Sequence, residues 1–289
     1  MKRRAFIHSV TALTGLACSK TALAEGLRPA PAAGDSTLPT LKIGRYEISR
    51  MIIGGNPFSS IAHAEPLQYA GELFRHYFTP QKIVATLQLC RQHGINTFLG
   101  RIDNQVSGFL NLYEKETGQR YPWIGQTAKK PMAGAGRQDI IDNMKFAADQ
   151  GAIGIYLQGE SCDYWVKNGQ IREMEVLLAH IRRMGLIAGL GAHENRTIVE
   201  AEAAGLHPDF YMKTFNALDY LALDSAATAE IMATATAPWI AFKVLAAGRL
   251  SPATGFKQAL DAGAGFLCVG MFDFQVAKNV QVLQGRLSA

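Results

Sequence analysis

The chain has 289 residues, 48% apolar and 18% charged, a balance too apolar for a disordered protein and sufficient for one large core. Net charge is +5, but Lys2, Arg3, Arg4 and Lys20 fall within the first 24 residues, which hold no acidic side chain; the rest balances 25 basic against 24 acidic residues. Function through bulk attraction to nucleic acid is thereby excluded.

Residues 1–24 run from a charged start through a modestly apolar stretch to Ala22-Leu23-Ala24, the small-x-small ending of an export signal cleaved after Ala24. Arg3-Arg4-Ala5-Phe6-Ile7 resembles the twin-arginine motif. The expectation is a periplasmic protein handed in folded form to the twin-arginine export machinery. Gly15-Leu16-Ala17-Cys18 leaves lipoprotein anchoring at Cys18 as a weaker reading, because Gly15 stands where a lipobox usually has Leu. No later segment reaches the roughly 18 uninterrupted apolar residues of a bilayer span, so the mature chain is expected to have no stable membrane span. Cys90, Cys162 and Cys268 are scattered and read as buried small hydrophobes.

Residues 25–40, rich in Pro, Ala and Gly, read as a flexible linker, and the folded domain is expected over 41–289. A hairpin over Lys42 to Ile48, turning at Gly44-Arg45, is expected to plug a barrel floor. Strands follow at Met51–Gly55, Asn96–Ile102, Trp123–Thr127, Ile153–Gln158, Leu186–Gly191, Phe210–Thr214, Trp239–Leu245 and Phe266–Met271, alternating with helical segments. Thr79-Pro80 and Ser251-Pro252 are helix starts, a cap followed by Pro at the first helical position. Ile171, Met174, Leu178 and Ile181 stripe one helix that Gly185 ends. Eight strand–helix units predict an α/β protein, a (β/α)8 TIM barrel with an N-terminal β-hairpin. The long connection from Asn56 to Thr79 is expected to be a lid over the barrel mouth.

The order of segments resembles the aldo/keto reductase superfamily. The resemblance rests on Leu41–Gly44 and Ile48–Asn56, on Gly94–Phe98 with Asp103, on Asp209–Asn216, and on Leu245–Leu250. It implies a barrel enzyme with a nicotinamide cofactor, bound tightly if the protein works outside the cytoplasm. Most of that family's catalytic tetrad is missing. Gly108 stands where the proton-donating Tyr would fall, Ala128 follows Thr127 in place of the family's Lys, with Lys129 one step late, and Gln158 or Gly159 stands at the position of its His. Only Asp103 carries over.

Chemistry in such a barrel sits at the C-terminal strand ends. Those ends offer Asn56, Arg101, Gln126, Gln158, Asn216 and Gln275 as substrate-binding candidates, and Lys213, Lys243, Asp103, Glu160 and His193 as catalytic ones. Alternation along strands six and seven, with Phe210, Met212, Ile240, Phe242 and Val244 taken as helix-facing, directs Lys213 and Lys243 together into the interior, where burial and like charge lower an amine's pKa. Asp209–Thr214 and Lys243 with Ala246-Ala247-Gly248 resemble the lysine-bearing strands of class I aldolases of the deoxyribose-phosphate type, implying a Schiff-base Lys213 assisted by Lys243. Structural ion pairing of both lysines is the alternative. Arg101 either holds a substrate carboxylate or neutralises Asp103. His193, Glu194, Glu160 and Asp273 are weak candidates for a divalent metal, and Asp273 is also placed to cap the last helix, where its charge disfavours an anion.

The leading expectation is an exported barrel enzyme acting on a small polar carbonyl compound, a sugar derivative, by lysine and acid–base chemistry of lyase, isomerase or hydratase type. The alternatives are an aldo/keto-reductase-like NAD(P)-dependent oxidoreductase with altered catalytic residues and a non-catalytic sugar-binding barrel.

Overall fold

The computed structural model describes residues 38–65 and 67–288; the signal, the Cys18 reading and most of the expected linker lie outside the described residues. Leu38 is already buried, and the hairpin begins one residue before the expected domain start. Its strands, β1 (Thr40–Ile43) and β2 (Tyr46–Ser49), pair antiparallel around Gly44, whose φ of +57° suits a residue without a Cβ.

Eight parallel strands then close a barrel in chain order: β3 (Met51–Gly54), β4 (Phe98–Arg101), β5 (Trp123–Gln126), β6 (Gly154–Leu157), β7 (Ile187–Ala192), β8 (Phe210–Thr214), β9 (Trp239–Phe242) and β10 (Phe266–Val269), with β10 pairing back onto β3. Around them lie α1 (Ala70–Tyr77), α2 (Pro80–Gln92), α3 (Asn104–Thr117), α4 (Arg137–Asp149), α5 (Gly159–Lys167), α6 (Ile171–Arg183), α7 (Asn195–Ala203), α8 (Ser225–Thr234), α9 (Pro252–Asp261) and α10 (Asp273–Leu287). The expected (β/α)8 barrel with its hairpin is the observed fold. None of the described helices is long and apolar enough to cross a membrane.

The expected helix punctuation is present. Thr79 accepts a hydrogen bond from the Lys82 amide at the start of α2, and Ser251 accepts one from the Thr254 amide at the start of α9, each before a Pro. Gly185, at φ +74°, follows α6. Cys90, Cys162 and Cys268 are all buried free thiols.

Two apolar layers hold the barrel. The inner one joins Ile52, Leu99, Ile124, Tyr156, Ile187, Phe210, Met212, Ile240 and Phe266 to Ile43 and Ile48 of the hairpin, which enters the barrel from below. The outer layer, between strands and helices, takes the alternate residues, among them Ile53, Trp123, Leu190, Tyr211, Ala241 and Leu267.

This corrects the expected alternation on β8 and β9. Phe210, Met212, Ile240 and Phe242 face the interior, while Tyr211 lies in the outer layer, its hydroxyl donating to Glu202 of α7 at 2.6 Å. Lys213 shares the parity of Tyr211. Helices need apolar partners, which favours bulky residues outward, but a closed barrel also fills its interior with large side chains, so both faces are apolar and hydrophobicity alone does not choose between them. Strand β9 also stops three residues early, because Lys243 leaves the extended conformation at φ +61°.

Candidate active site at the barrel mouth

A cavity of about 390 Å³ opens at the C-terminal ends of the strands. Leu99, Tyr156, Met212 and Cys268 of the inner core form its floor. Its walls carry Asn56, Arg101, Gln126, Gln158, Glu160, His193, Lys243 and Gln275, most of the expected polar ring, together with His63 and Lys130.

His193 follows β7, and the start of α5 meets it. Asp163, nearly buried one turn into α5, accepts the His193 and Glu194 amides and the Thr197 hydroxyl, the last at 2.7 Å, and lies 3.1 Å from His193 Nδ1. Asp163 already accepts from three donors, so in the remaining contact Nδ1 is the donor. No described residue hydrogen-bonds to Nε2. Gly159 makes the contact possible: a Cβ there would lie 2.8 Å from the imidazole. Asp163 was not among the sequence candidates.

Lys243 lines the cavity from the end of β9. Its ammonium has a single long contact, 3.4 Å to the Leu221 carbonyl, beside the Phe242 ring. Burial lowers its pKa, opposed by the charges of Glu160 and Asp163. His63 is likewise lowered, by burial first and then by Lys243 and His193. Lys130 ion-pairs with Glu160 and holds the Glu160 carboxyl below its usual range, so Glu160 is an anion at neutral pH.

Lys213 does not reach this cavity. Its fully buried amine donates to the His193 carbonyl at 2.8 Å and contacts Thr214 at 3.3 Å, behind the wall. Burial lowers its pKa to about 8, with Asp163 raising it and Lys243 lowering it further. Lys213 therefore senses the charge of Lys243, but only Lys243 meets the cavity, which removes the geometric basis for attack by Lys213.

Other candidates have structural duties. Asp103 caps α3 through the Val106 amide at 2.9 Å and holds Arg101 Nε at 3.3 Å, so it stands behind the cavity wall. Asn216 is buried and spends its amide on the Tyr220 amide and carbonyl and the Lys243 carbonyl. Gln158 caps α5 through the Ser161 amide, and Gln275 accepts the Phe272 amide, while both still line the cavity. Asp273 is the first residue of α10, with Phe272 in the cap position, and bonds Tyr77 and Lys82 at 2.5 Å. Burial pushes its carboxyl up, but these partners outweigh burial and hold it below the usual range. Among the described residues no three His, Cys, Asp or Glu side chains converge as a metal set, and the four metal candidates point to separate partners or none in common.

Three loops frame the opening. Tyr220, after β8, donates its hydroxyl to the His63 carbonyl at 2.8 Å; Arg249, after β9, lies 3.7 Å over the Tyr220 ring and donates to the Glu65 carbonyl at 3.0 Å. The connection after β3, expected to be a lid, supplies Asn56, Ile61, His63 and Phe74 to the cavity wall. Positive φ at Ser60, His63, Asp219, Leu221, Asp224, Lys243, Ala246 and Ala247 concentrates backbone strain in these same loops, and such strain is held where the surroundings over-determine the conformation.

No protein-family model matches the chain, and no curated protein is significantly similar to it. Solved structures are. A Pseudomonas aeruginosa protein assigned to the aldo-keto reductases superposes with TM-score 0.64 at 16% identity, covering 88% of this chain and 96% of its own. Glycerol dehydrogenase of Gluconobacter oxydans gives 0.60 at 10% identity, covering 84% and 89%. A truncated 3-deoxy-D-arabino-heptulosonate 7-phosphate synthase from Thermotoga maritima gives 0.54 at 12% identity, covering 87% and 92%. At these identities the likeness is one of fold: a (β/α)8 barrel that proteins described as aldo-keto reductases and aldolase-type synthases share. The neighbours are enzymes.

The residues do not assemble the aldo/keto reductase tetrad. Gly108 is exposed on α3 with open space where a Cβ would stand, and Asp103 is occupied as a cap. Nor does the carboxylate of Asp273 at the start of α10 favour a phosphate there. Tetrad-based hydride transfer from a nicotinamide therefore does not fit these side chains.

Proposed function

We propose that the protein is an exported, periplasmic barrel enzyme that acts on a small polar carbonyl compound, a sugar derivative, by acid–base chemistry at His193 with Lys243 as the carbonyl-activating amine. The observation that carries this reading is the pairing of His193 Nδ1 with Asp163 in a cavity where, among the described residues, Nε2 has no hydrogen-bond partner and the Lys243 amine no carboxylate partner. A His oriented by a buried carboxylate is the arrangement of a general base. Burial lowers the pKa of Lys243, which raises its neutral, nucleophilic fraction.

In the proposed sequence the neutral Lys243 amine adds to the substrate carbonyl, and uptake of a proton from solvent with loss of water gives a protonated imine. That cation acidifies the adjacent C–H, whose proton passes to His193 Nε2. Returning the proton to the opposite face of the same carbon gives epimerisation, whereas expelling a leaving group from the next carbon gives lyase or dehydratase chemistry; either way the C=N bond is restored. Hydrolysis of the imine releases the product and regenerates the amine.

The test is borohydride reduction in the presence of keto-sugars and aldehydes, followed by peptide mapping. A reduced adduct on Lys243, and loss of turnover in Lys243→Met, are expected. Absence of any adduct together with an active Lys243→Met enzyme overturns the imine step. Export is tested by N-terminal sequencing of protein from the periplasmic fraction, where Glu25 is the expected first residue.

A further inference from the structure

The cavity wall across the barrel from His193 and Lys243 is formed by the ends of β3, β4 and β5, and its polar groups are differently employed. Arg101 and Gln126 are register partners on β4 and β5, and both follow inward-facing residues, Leu99 and Ile124, by two positions. Asn56 stands beside them after β3. The Arg101 guanidinium gives only its Nε to Asp103, at 3.3 Å, and its terminal nitrogens have no partner among the described residues. Neither do the side-chain amides of Gln126 and Asn56.

Arg101 also borders a second depression of about 490 Å³, which shares Arg101 and Lys130 with the lining of the mouth and is further lined by Lys129 and by one acid, Asp139. The three cations there, Arg101, Lys129 and Lys130, are balanced by Asp103, Asp139 and Glu160, so what sets this side apart is the unspent donor face of Arg101 and not a net charge. Unpartnered donors around a planar guanidinium suit a planar anion with several acceptor lone pairs.

We propose that the β3–β5 wall is a carboxylate subsite and that the substrate is a keto-sugar acid rather than a neutral sugar. The proposal rests on the carbonyl-chemistry reading above. The carboxylate is received bidentately by the terminal nitrogens of Arg101 and flanked by the amides of Gln126 and Asn56, and the carbonyl end then lies toward Lys243 and His193. Asp103, fixed by the Val106 amide, is a positioning residue that sets the angle of the guanidinium.

The experiment is calorimetric titration of the purified protein with 2-keto-D-gluconate, its methyl ester, D-fructose and D-fructose 6-phosphate. The free acid is expected to bind about 10- to 100-fold more tightly than the ester, the range for a charge-assisted hydrogen-bond pair, with the difference shrinking as salt is raised. Arg101→Met is expected to erase that preference, and Arg101→Lys to keep part of it. Equal binding of acid and ester by the parent protein overturns the subsite, whatever the variants do. Stronger binding of the phosphate ester than of the acid overturns the choice of carboxylate. Acid preference retained in His193→Asn, beside a parent protein that turns over no carbonyl compound, leaves the subsite standing and overturns the catalytic reading.

Discussion

The two sides of the barrel mouth are built from similar strand ends and behave differently. On the β7–β9 side the reactive groups are held by partners behind the wall: Asp163 fixes His193, and a left-handed backbone turn projects Lys243. On the β3–β5 side the ends of β4 and β5 are in regular register and the side chains are only partly committed: Arg101, Gln126 and Asn56 keep donors in hand. Held groups suit proton transfer, which demands fixed geometry. Free donors suit recognition, which a ligand completes. The barrel permits this division because each strand end is a separate position on one rim.

Substitutions that affect one side alone sharpen the contrast. The largest effect is expected from His193→Asn, with turnover reduced about 10²- to 10⁴-fold and binding of 2-keto-D-gluconate changed little; equal losses of binding and turnover would mean that the two sides are not separable. Gly159→Ala places a methyl 2.8 Å from the imidazole, and a fall in kcat of about 10-fold with a steady KM is expected from that displacement. Asp103→Ala removes an N-cap, costing about 1 kcal/mol of stability in thermal unfolding, and frees Arg101, so KM should rise a few-fold at constant kcat.

Lys213→Met is expected to change turnover least, since the amine lies outside the cavity. Its signature is in stability. Below pH 8 the lysine is charged in both folded and unfolded chains, and the fold bears the cost of burying the charge. From about 8 to the ordinary 10.5 the unfolded chain binds more protons, so stability rises with pH, by roughly 3 kcal/mol. Denaturant titrations at pH 7.5 and 10 should show this rise in the parent and its absence in the variant. An active-site role for Lys213 would instead show as lost turnover.

The architecture was legible because it is written in alternation and punctuation: eight apolar runs, the Thr79-Pro80 and Ser251-Pro252 starts, and a hairpin around Gly44. The membership of the polar rim was legible too, because strand ends predict it. Facing was not. With both sides of β8 apolar, no hydrophobic contrast told Lys213 from Met212, and only closure of the barrel decides which is inside. Asp163 escaped notice because its partner His193 is thirty residues away, and a carboxylate within a helix carries no spacing signal. The one local trace was Gly159, a glycine at a helix start where a neighbouring ring needs room. Asn216, similarly, bonds backbone groups that sequence cannot bring together.

The hairpin beneath the barrel has a kinetic consequence. With Ile43 and Ile48 stoppering the base, the described residues leave the interior one doorway, and whatever forms inside must leave past the same Tyr220 and Arg249 that its precursor passed. Arrival and departure thus compete for a single threshold. Accumulating product should act as a competitive inhibitor, and when departure is the slower event a rapid first turnover precedes a lower steady rate.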